Sequence, residues 1–333
     1  MDNLTHTLVG VALSRAFFKK RVAYATTALI IAANLPDLDV LYSWPGIRYI
    51  EYHRGALHSL VLLPVWALGV ALALRWFAAR RQQPPPALWM GFLLGLAGVG
   101  SHVLLDWSNA YGIRLFAPFS QHWYALDIAP ILDPWVWLLL LAFLGFPLLL
   151  GLITTEVGVP KKNPHRLSGV LALVLLAAWL GLRARQHAAA LEVLNSPDVS
   201  RYFNNQLPYD WAAFPISSSP FAWEAVVDLP ANYLVADVYS PWNADQAGFA
   251  LERNYIKPPR TSAIAAAEQT RTGSIFLWFA RFPMADEEDQ GSDSLAILTD
   301  MRFAQGVRRP APHATVTLDG SLHVVQQRFS WSR

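Results

Sequence analysis

Ser-His-Val-Leu-Leu-Asp, at residues 101–106, ends an apolar run that begins near Leu88. His102 and Asp106 are four residues apart, so on a helix they project from one face, one turn from each other. An imidazole and a carboxylate at that spacing can bind one metal ion, or the carboxylate can orient the imidazole. Ionisable groups are costly in a lipid-facing segment, and those that occur mostly serve a function. The pattern therefore predicts a buried site built around this pair.

The composition is that of a membrane protein. Of 333 residues, 54% are hydrophobic and 15% are charged, whereas soluble domains carry about 25% charged residues. Fourteen tryptophans suit aromatic belts at two membrane interfaces. The net charge of +2 is too small to indicate a nucleic-acid partner. The absence of cysteine excludes thiolate zinc sites, cysteine nucleophiles and disulfides.

Six apolar runs predict a mainly α fold, a polytopic helical membrane bundle over residues 1–185. The first run, residues 4–18, is short, because a bilayer core needs about 20 helical residues. The five longer runs cover residues 22–42, 57–77, 88–107, 131–153 and 167–183. Basic clusters lie after the first and third runs and before the last. The positive-inside rule assigns these clusters to the cytoplasm, so both ends of the chain are expected outside.

That topology brings the polar residues of five segments to one side of the membrane. The residues concerned are His6, Asp37, Asp39, His53, Arg54, His58, His102, Asp106, Asp127 and Asp133. Because the topology was built without them, their convergence at one depth is stronger support for a site than any single pair.

The segment Asn-Leu-Pro-Asp-Leu-Asp, at residues 34–39, predicts a helix broken by proline that carries two carboxylates. Pro36 bends the segment and frees a backbone carbonyl, which is tolerated at membrane depth where the backbone lines a cavity. In such a broken segment both Asp37 and Asp39 can approach one ion. The alternative is that the run surfaces early and both acids are solvated.

A second polar segment, His-Arg-Gly-Ala-Leu-His-Ser at residues 53–59, precedes the third run. Arg54 and His58 are four apart, which places a fork-shaped cation beside a ligand and suggests an anionic substrate. Alternatively, Arg54 pairs with Asp37 or Asp39. His6 is either a ligand or an interfacial histidine. Asp133, which precedes a proline, is either a helix N-cap or a residue that supports the ligands.

Imidazole and carboxylate ligands without thiolates favour zinc first, and manganese or iron next. The predicted ligands are His6, Asp37, Asp39, His58, His102 and Asp106, enough for one or two ions. The expected chemistry is attack of a metal-activated water on an ester or phosphoester. Asp39 would act as the base, and Arg54 or Arg114 would stabilise the developing charge. No Gly-x-Ser-x-Gly or Walker motif supports a serine hydrolase or an ATP-driven transporter.

Residues 186–333 predict an extracytoplasmic, strand-rich α+β domain. A helical stalk is expected at 188–206, and alternating apolar and polar residues predict strands at Trp223–Leu229 and Tyr233–Tyr239. Further strands are predicted at Ile275–Phe282, Leu295–Phe303, Ala314–Leu318 and Leu322–Phe329, the last two joined by a turn at Asp319 and Gly320.

The polar motifs together resemble a bacterial family called membrane-bound metal-dependent hydrolases. The resemblance rests on six segments in the same order: residues 2–7, 34–39, 53–59, 102–106, 111–120 and 131–134. It covers residues 1–155 strongly and weakens toward the tail, where residues 220–223 resemble a segment of longer members. The His-x-x-x-Asp element is also similar to zinc-dependent phospholipases C and related nucleases. The resemblance implies a bacterial inner-membrane location and a helical phosphoesterase with a metal cluster.

The sequence thus predicts a hydrolase that acts on a phosphoester or ester of a membrane lipid or a lipid-linked molecule. A metal carrier or sensor could use the same ligands without hydrolysis. A carrier would need further ionisable groups toward the cytoplasmic side, where the sequence offers basic clusters. A third possibility is a structural protein in which the metal only links the helices of the bundle. This possibility predicts a closed coordination shell.

Overall fold

The computed structural model describes residues 1–156, 165–240, 248–303 and 311–331. The chain forms two compact units. The first comprises Met1–Asp39, Arg54–Arg185 and Ser217–Pro220, and the second comprises Val40–His53, Gln186–Ile216 and Phe221–Arg333.

The helices and strands follow the chain in two blocks. The described α-helices are α1 (Asn3–Leu13), α2 (Ala25–Ala32), α3 (Val40–Ser43), α4 (Arg48–Tyr52), α5 (Leu63–Arg80), α6 (Leu88–Trp107), α7 (Pro134–Glu156), α8 (His165–Leu194), α9 (Pro197–Ser200), α10 (Ser262–Gln269) and α11 (Arg271–Phe279). The described strands are β1 (Asp210–Pro215), β2 (Ala222–Asp228), β3 (Asn232–Tyr239), β4 (Gly248–Ile256), β5 (Pro283–Asp289), β6 (Asp293–Asp300), β7 (His313–Asp319) and β8 (Val324–Ser330).

Three of the described helices are long and apolar enough to cross a membrane: α5, α6 and α8. A shorter apolar segment, Pro134–Pro147, lies in α7. The run at 4–18 forms α1 followed by a π-helical turn at Ser14–Phe18. The run at 22–42 is not one helix, since α2 has eight residues and is followed by a 3-10 turn at Pro36–Asp39. The predicted break at Pro36 is therefore observed.

Small residues set the helix packing of the first unit. A Cβ added at Gly95 of α6 would lie 2.7 Å from the carbonyl oxygen of Ala67 on α5. One added at Gly98 would lie 2.6 Å from the Cβ of Ala32, at the end of α2. Such close approach is the usual function of small residues between membrane helices. It brings the polar turn after α2 against the last two turns of α6, which carry His102 and Asp106.

The second unit contains two antiparallel four-stranded sheets, with orders β1-β2-β3-β4 and β5-β6-β7-β8. The predicted strands at 223–229, 233–239, 314–318 and 322–329 are thereby confirmed within two residues at each end. The predicted strand at Leu295–Phe303 is β6 followed by a 3-10 turn at Met301–Phe303. The predicted stalk begins as the end of α8 and continues as α9.

The strand predicted at Ile275–Phe282 is wrong, because most of this segment belongs to α11. The Thr270 side chain accepts a hydrogen bond from the backbone nitrogen of Gly273 and caps the helix. Phe276 and Phe279 are buried and three residues apart, so they lie on one face of the helix. The helix packs against the sheet formed by β5, β6, β7 and β8. The segment is rich in aromatic residues, which are common in strands, but its tertiary contacts favour a helix.

Candidate metal centre

Four side chains converge in the first unit with one donor atom each. Asp37, His58, His102 and Asp106 offer atoms that all lie within 4.8 Å of one another. Asp37 lies on the 3-10 turn after α2, His58 on a 3-10 turn at Ala56–His58, and the other two on α6. The side chains of His58, His102 and Asp106 are fully buried, whereas that of Asp37 is 17% exposed.

The distances between these donor atoms suit a small divalent cation. His58 Nε2 lies 3.3 Å from Asp37 Oδ1 and 3.5 Å from Asp106 Oδ2. His102 Nε2 lies 3.6 Å from Asp37 Oδ1 and 3.5 Å from Asp106 Oδ2. Nitrogen and oxygen ligands at tetrahedral corners, roughly 2.0–2.2 Å from one ion, would be about 3.3–3.6 Å apart. The four nitrogen–oxygen distances match this spacing, and all four donor atoms lie within 4.8 Å of one another.

His102 presents an unprotonated nitrogen to this cluster. Its Nδ1 lies 2.7 Å from the carbonyl oxygen of Ala33. Because a carbonyl oxygen can only accept, Nδ1 carries the proton and Nε2 keeps its lone pair. Nε2 of His102 and Oδ2 of Asp106 are buried and have no hydrogen-bond partner among the described residues. Buried polar atoms left in this way are rare, and a cation bound by the four residues would satisfy both atoms.

Asp39 lies against the side of the His58 ring that faces away from the cluster. Its Nδ1 lies 3.2 Å from Asp39 Oδ2, while its Nε2 faces Asp37 and Asp106. A carboxylate behind a ligating histidine fixes the ring orientation and raises its basicity. The same Oδ2 atom accepts a hydrogen bond from the backbone nitrogen of Arg54 at 2.9 Å. Asp39 was predicted as both a ligand and a base. In the structure it contacts His58 but does not belong to the group of four.

The two aspartates are also held by their outer oxygens. Oδ2 of Asp37 accepts a hydrogen bond from Asn3 at 3.1 Å. Oδ1 of Asp106 accepts one from the Arg54 guanidinium at 3.1 Å and another from the backbone nitrogen of Met1. In each of the four residues, one atom faces the cluster centre and the other contacts a polar group outside it.

His6, a further predicted ligand, lies beside the group of four. Its ring stacks on that of His102 with a centroid distance of 3.9 Å. Its Nε2 lies 3.2 Å from the carbonyl oxygen of Met1 and 3.4 Å from Asp106 Oδ1. His6 therefore contacts the outer oxygen of Asp106, whereas the inner oxygen faces His58 and His102.

The two predicted arginines occupy different positions. Arg54 is buried, donates to Asp106 and to Asn109 Oδ1 at 2.9 Å, and lies over the Tyr111 ring. Arg114 donates to Gln121 at 2.8 Å and lies over the Trp123 ring. Arg54 thus contacts the cluster directly. The backbone nitrogen of Arg114 donates to the carbonyl oxygen of Arg54, so the loop that carries it packs against Arg54.

The remaining polar candidates lie outside the group of four. Asp133 caps α7: its Oδ1 accepts hydrogen bonds from the backbone nitrogens of Trp135 and Val136, and its Oδ2 accepts one from the Trp179 indole. His53 belongs to the second unit and stacks on Tyr49. Asp127 is buried with a left-handed backbone.

Sequence reasoning missed the two amides that hold the site. Asn3 bonds the Asp37 carboxylate, and Asn109 bonds Arg54 and the backbone nitrogen of Tyr111. Asn3 lies within the motif at residues 2–7, and Asn109 lies three residues after Asp106. Their position next to the predicted ligands was the available signal.

Comparison with known proteins adds a family and one relative. A family model described as "YdjM inner membrane protein" matches residues 1–190, which contain all four donors. A protein of Bacillus subtilis (strain 168), "Uncharacterized protein YfhP", is 30% identical over 147 residues, which cover 41% of this chain and 43% of that relative. The chain therefore matches less than half of the relative's length. No solved structure matches the chain.

Proposed function

The chain belongs to the YdjM inner membrane protein family. From the geometry of the four side chains, we propose that it is a membrane-bound metal-dependent hydrolase. Its substrate class would be a phosphoester or ester of a lipid or a lipid-linked molecule. The reaction would take place at Asp37, His58, His102 and Asp106, where these residues hold a divalent cation, zinc in preference to manganese or iron.

One observation carries this proposal. Each of the four residues turns one donor atom inward. Its other polar atom lies against Asn3, Asp39, the Ala33 carbonyl oxygen or Arg54. Fixing the outer atoms orients the ligands before any ion arrives, as is usual in metal sites. A bound divalent ion supplies a water of lowered pKa and polarises a phosphoryl or carbonyl oxygen.

The roles of the neighbouring residues follow from their contacts. Asp39 orients His58 and also anchors the backbone of Arg54. Arg54 places a fixed positive charge beside Asp106, where it can stabilise negative charge that develops on a bound phosphoryl group. His6 Nε2 lies 3.2 Å from the Met1 carbonyl oxygen and 3.4 Å from Asp106 Oδ1, so it carries a proton and supports Asp106 rather than offering a lone pair to an ion.

The lipid part of the proposal is supported by an apolar groove of about 450 Å³ between α2 and α5. One end is lined by Leu35 and Trp66. Leu35 lies two residues before Asp37, and the Trp66 indole donates to the carbonyl oxygen of Leu57, next to His58. The other end is lined by Tyr24, Trp76 and Phe77. Because α2 is short, the groove beside α5 could hold an acyl chain whose head group lies at the cluster.

In this proposal the chain crosses the inner membrane several times, and the cluster faces the outer leaflet. The strand-rich second unit then lies outside the cytoplasm. The three candidate spans and the basic clusters near Lys19, Arg80 and Arg166 support this orientation through the positive-inside rule.

The test is hydrolysis by the detergent-purified, metal-loaded protein. The hydrolysis rates of the wild type and of the His102→Ala variant would be measured on a panel of phospholipids, lipid-linked phosphates and phosphodiesters. The proposal predicts that one class is cleaved by the wild type and that His102→Ala loses the activity at least about 100-fold. Equal rates for both proteins across the whole panel would overturn it.

A second candidate function is metal sensing or carriage without hydrolysis. It is favoured by the full burial of three of the four donors, since a closed shell needs no exchangeable water. This candidate predicts stoichiometric metal binding without cleavage of any substrate, and a metal site whose spectroscopic signature does not change in the presence of substrate analogues.

A further inference from the structure

A small basic pocket lies at the far end of α1 from the metal centre. Five cationic side chains line a cavity of about 80 Å³: Arg15, Lys19, Lys20, Arg21 and Arg166. A water molecule in the liquid takes about 30 Å³, so the cavity has room for one small group. The cations come from two parts of the chain, the π-helical turn with the residues after it and the first turn of α8.

Packing, rather than chance proximity, brings these two parts together. A Cβ added at Gly169 of α8 would lie 2.7 Å from the Ala12 carbonyl oxygen and 2.8 Å from the Arg15 Cβ. The glycine therefore allows α8 to touch the backbone at the end of α1. The guanidinium of Arg15 donates to the carbonyl oxygen of Leu144 on α7 at 2.5 Å, which fixes this side chain from a third helix. The positive charges thus surround a shaped cavity.

The five cations lack an acidic counterpart in the part of the chain that the structure describes. No ion pair joins any of them to a described carboxylate. Like charges gathered this closely disfavour the folded state. An anion in the cavity would turn this repulsion into attraction.

Positive charge that serves only membrane orientation looks different in this chain. Arg80 and Arg81 also fall in a predicted cytoplasmic cluster, but their guanidinium groups lie over the rings of Trp76 and Phe77. Neither arginine lines the basic pocket or the apolar groove between α2 and α5. They therefore provide a matched comparison for the pocket.

We propose that the basic pocket binds a phosphate group at the cytoplasmic face of the membrane. Arginine recognises phosphate through two parallel hydrogen bonds and lysine through its point charge. Basic pockets between membrane helices on this side suit anionic lipid head groups. The phosphate belongs either to a lipid head group or to free inorganic phosphate. Only the first source carries an acyl chain, which separates the two experimentally. This inference does not depend on the proposed hydrolysis.

The experiment uses the full-length protein in detergent. Native mass spectrometry counts the phosphatidylglycerol and phosphatidylcholine molecules retained, and thermal unfolding follows the Tm with each lipid and with inorganic phosphate. The variants are the double substitution Lys19→Gln with Arg166→Gln, and the control Arg80→Gln with Arg81→Gln, which removes the same charge. Lys19 and Arg166 are exposed, so their replacement leaves the core intact.

The wild type and the control should retain phosphatidylglycerol at least about tenfold over phosphatidylcholine, and the pocket variant should lose that preference. A Tm increase with inorganic phosphate alone, absent in the pocket variant, would support the pocket with free phosphate as the source. If the pocket variant does not fold, the single variant Lys20→Gln, at an exposed lysine, replaces it and should show a smaller loss of the preference for phosphatidylglycerol. Equal lipid preference in all proteins, or an equal loss in pocket variant and control, would overturn the proposal.

Discussion

Asp39 Oδ2 lies 3.2 Å from Nδ1 of His58, on the side of the ring opposite the atom that faces the cluster. The two residues sit on separate 3-10 turns, nearly twenty positions apart, and both are fully buried. The contact places Asp39 behind the ring of His58, one of the four side chains that could hold a metal ion. It also distinguishes Asp39 from Asp37, whose Oδ1 faces the cluster itself.

Replacing Asp39 should weaken metal binding without removing a ligand. Residues behind metal ligands typically contribute 10–100-fold to affinity, so we expect Asp39→Asn to raise the Kd for zinc by about that factor. Isothermal titration of the metal-free protein measures the change. Asp198→Asn, at an acid whose side chain is 88% exposed, is the control and should bind like the wild type. An unchanged Kd in Asp39→Asn would show that the contact does not support the site.

Gly98 should be essential for the approach of α2 to α6. A valine there would collide with the Ala32 Cβ and displace the Ala33 carbonyl from His102. We expect Gly98→Val to destabilise the fold by about 1–3 kcal/mol and to lower the metal content. Gly100→Val is the matched control, because an added Cβ there meets nothing within 4 Å. Thermal unfolding and elemental analysis of both variants give the comparison, and an undisturbed Gly98→Val would contradict this packing argument.

Asn109 should stabilise the loop and arginine beside the cluster. Its side-chain oxygen accepts from the Arg54 guanidinium and from the backbone nitrogen of Tyr111, both at 2.9 Å. Removing a buried acceptor of two donors costs about 1–3 kcal/mol, so Asn109→Ala should lower the Tm measurably. Asn195→Ala, at an exposed asparagine, should leave the Tm unchanged. Equal Tm values for the two variants would mean that this contact adds no stability.

The proposed orientation can be tested by cysteine labelling, because the natural chain has no cysteine. Phe119→Cys, at a side chain 84% exposed on the loop after α6, and Ser321→Cys in the second unit should react with an impermeant maleimide in intact spheroplasts. Gln83→Cys, between α5 and α6, should react after lysis. Protection of Phe119→Cys together with labelling of Gln83→Cys in intact spheroplasts would reverse the topology.

Much of the site could be predicted from the sequence because its signals are local or ordered. The i, i+4 spacing of His102 and Asp106 fixed their common face, and Pro36 marked the break that exposes Asp37. The predicted membership of a bacterial inner-membrane family is confirmed by the match over residues 1–190. The three helices with sufficient length and hydropathy were also among the predicted runs.

The rest depends on contacts that sequence spacing does not encode. Asp37 and Asp39 looked equivalent, and the packing of His58 between them separates a donor from its support. Asn3 and Asn109 carry no charge and contact residues more than thirty positions away, so no periodic pattern marked them. In the second unit, a buried aromatic segment near Phe276 could not be assigned between helix and strand by composition alone.

The most direct test of the metal centre is elemental analysis of the purified protein beside two histidine variants. The account predicts a divalent metal at one or two ions per chain in the wild type, its loss in His102→Ala, and its retention in His323→Ala, whose side chain is 82% exposed. If wild type and His102→Ala, prepared without chelators, contain the same amount of metal or none at all, the four residues do not form a metal site.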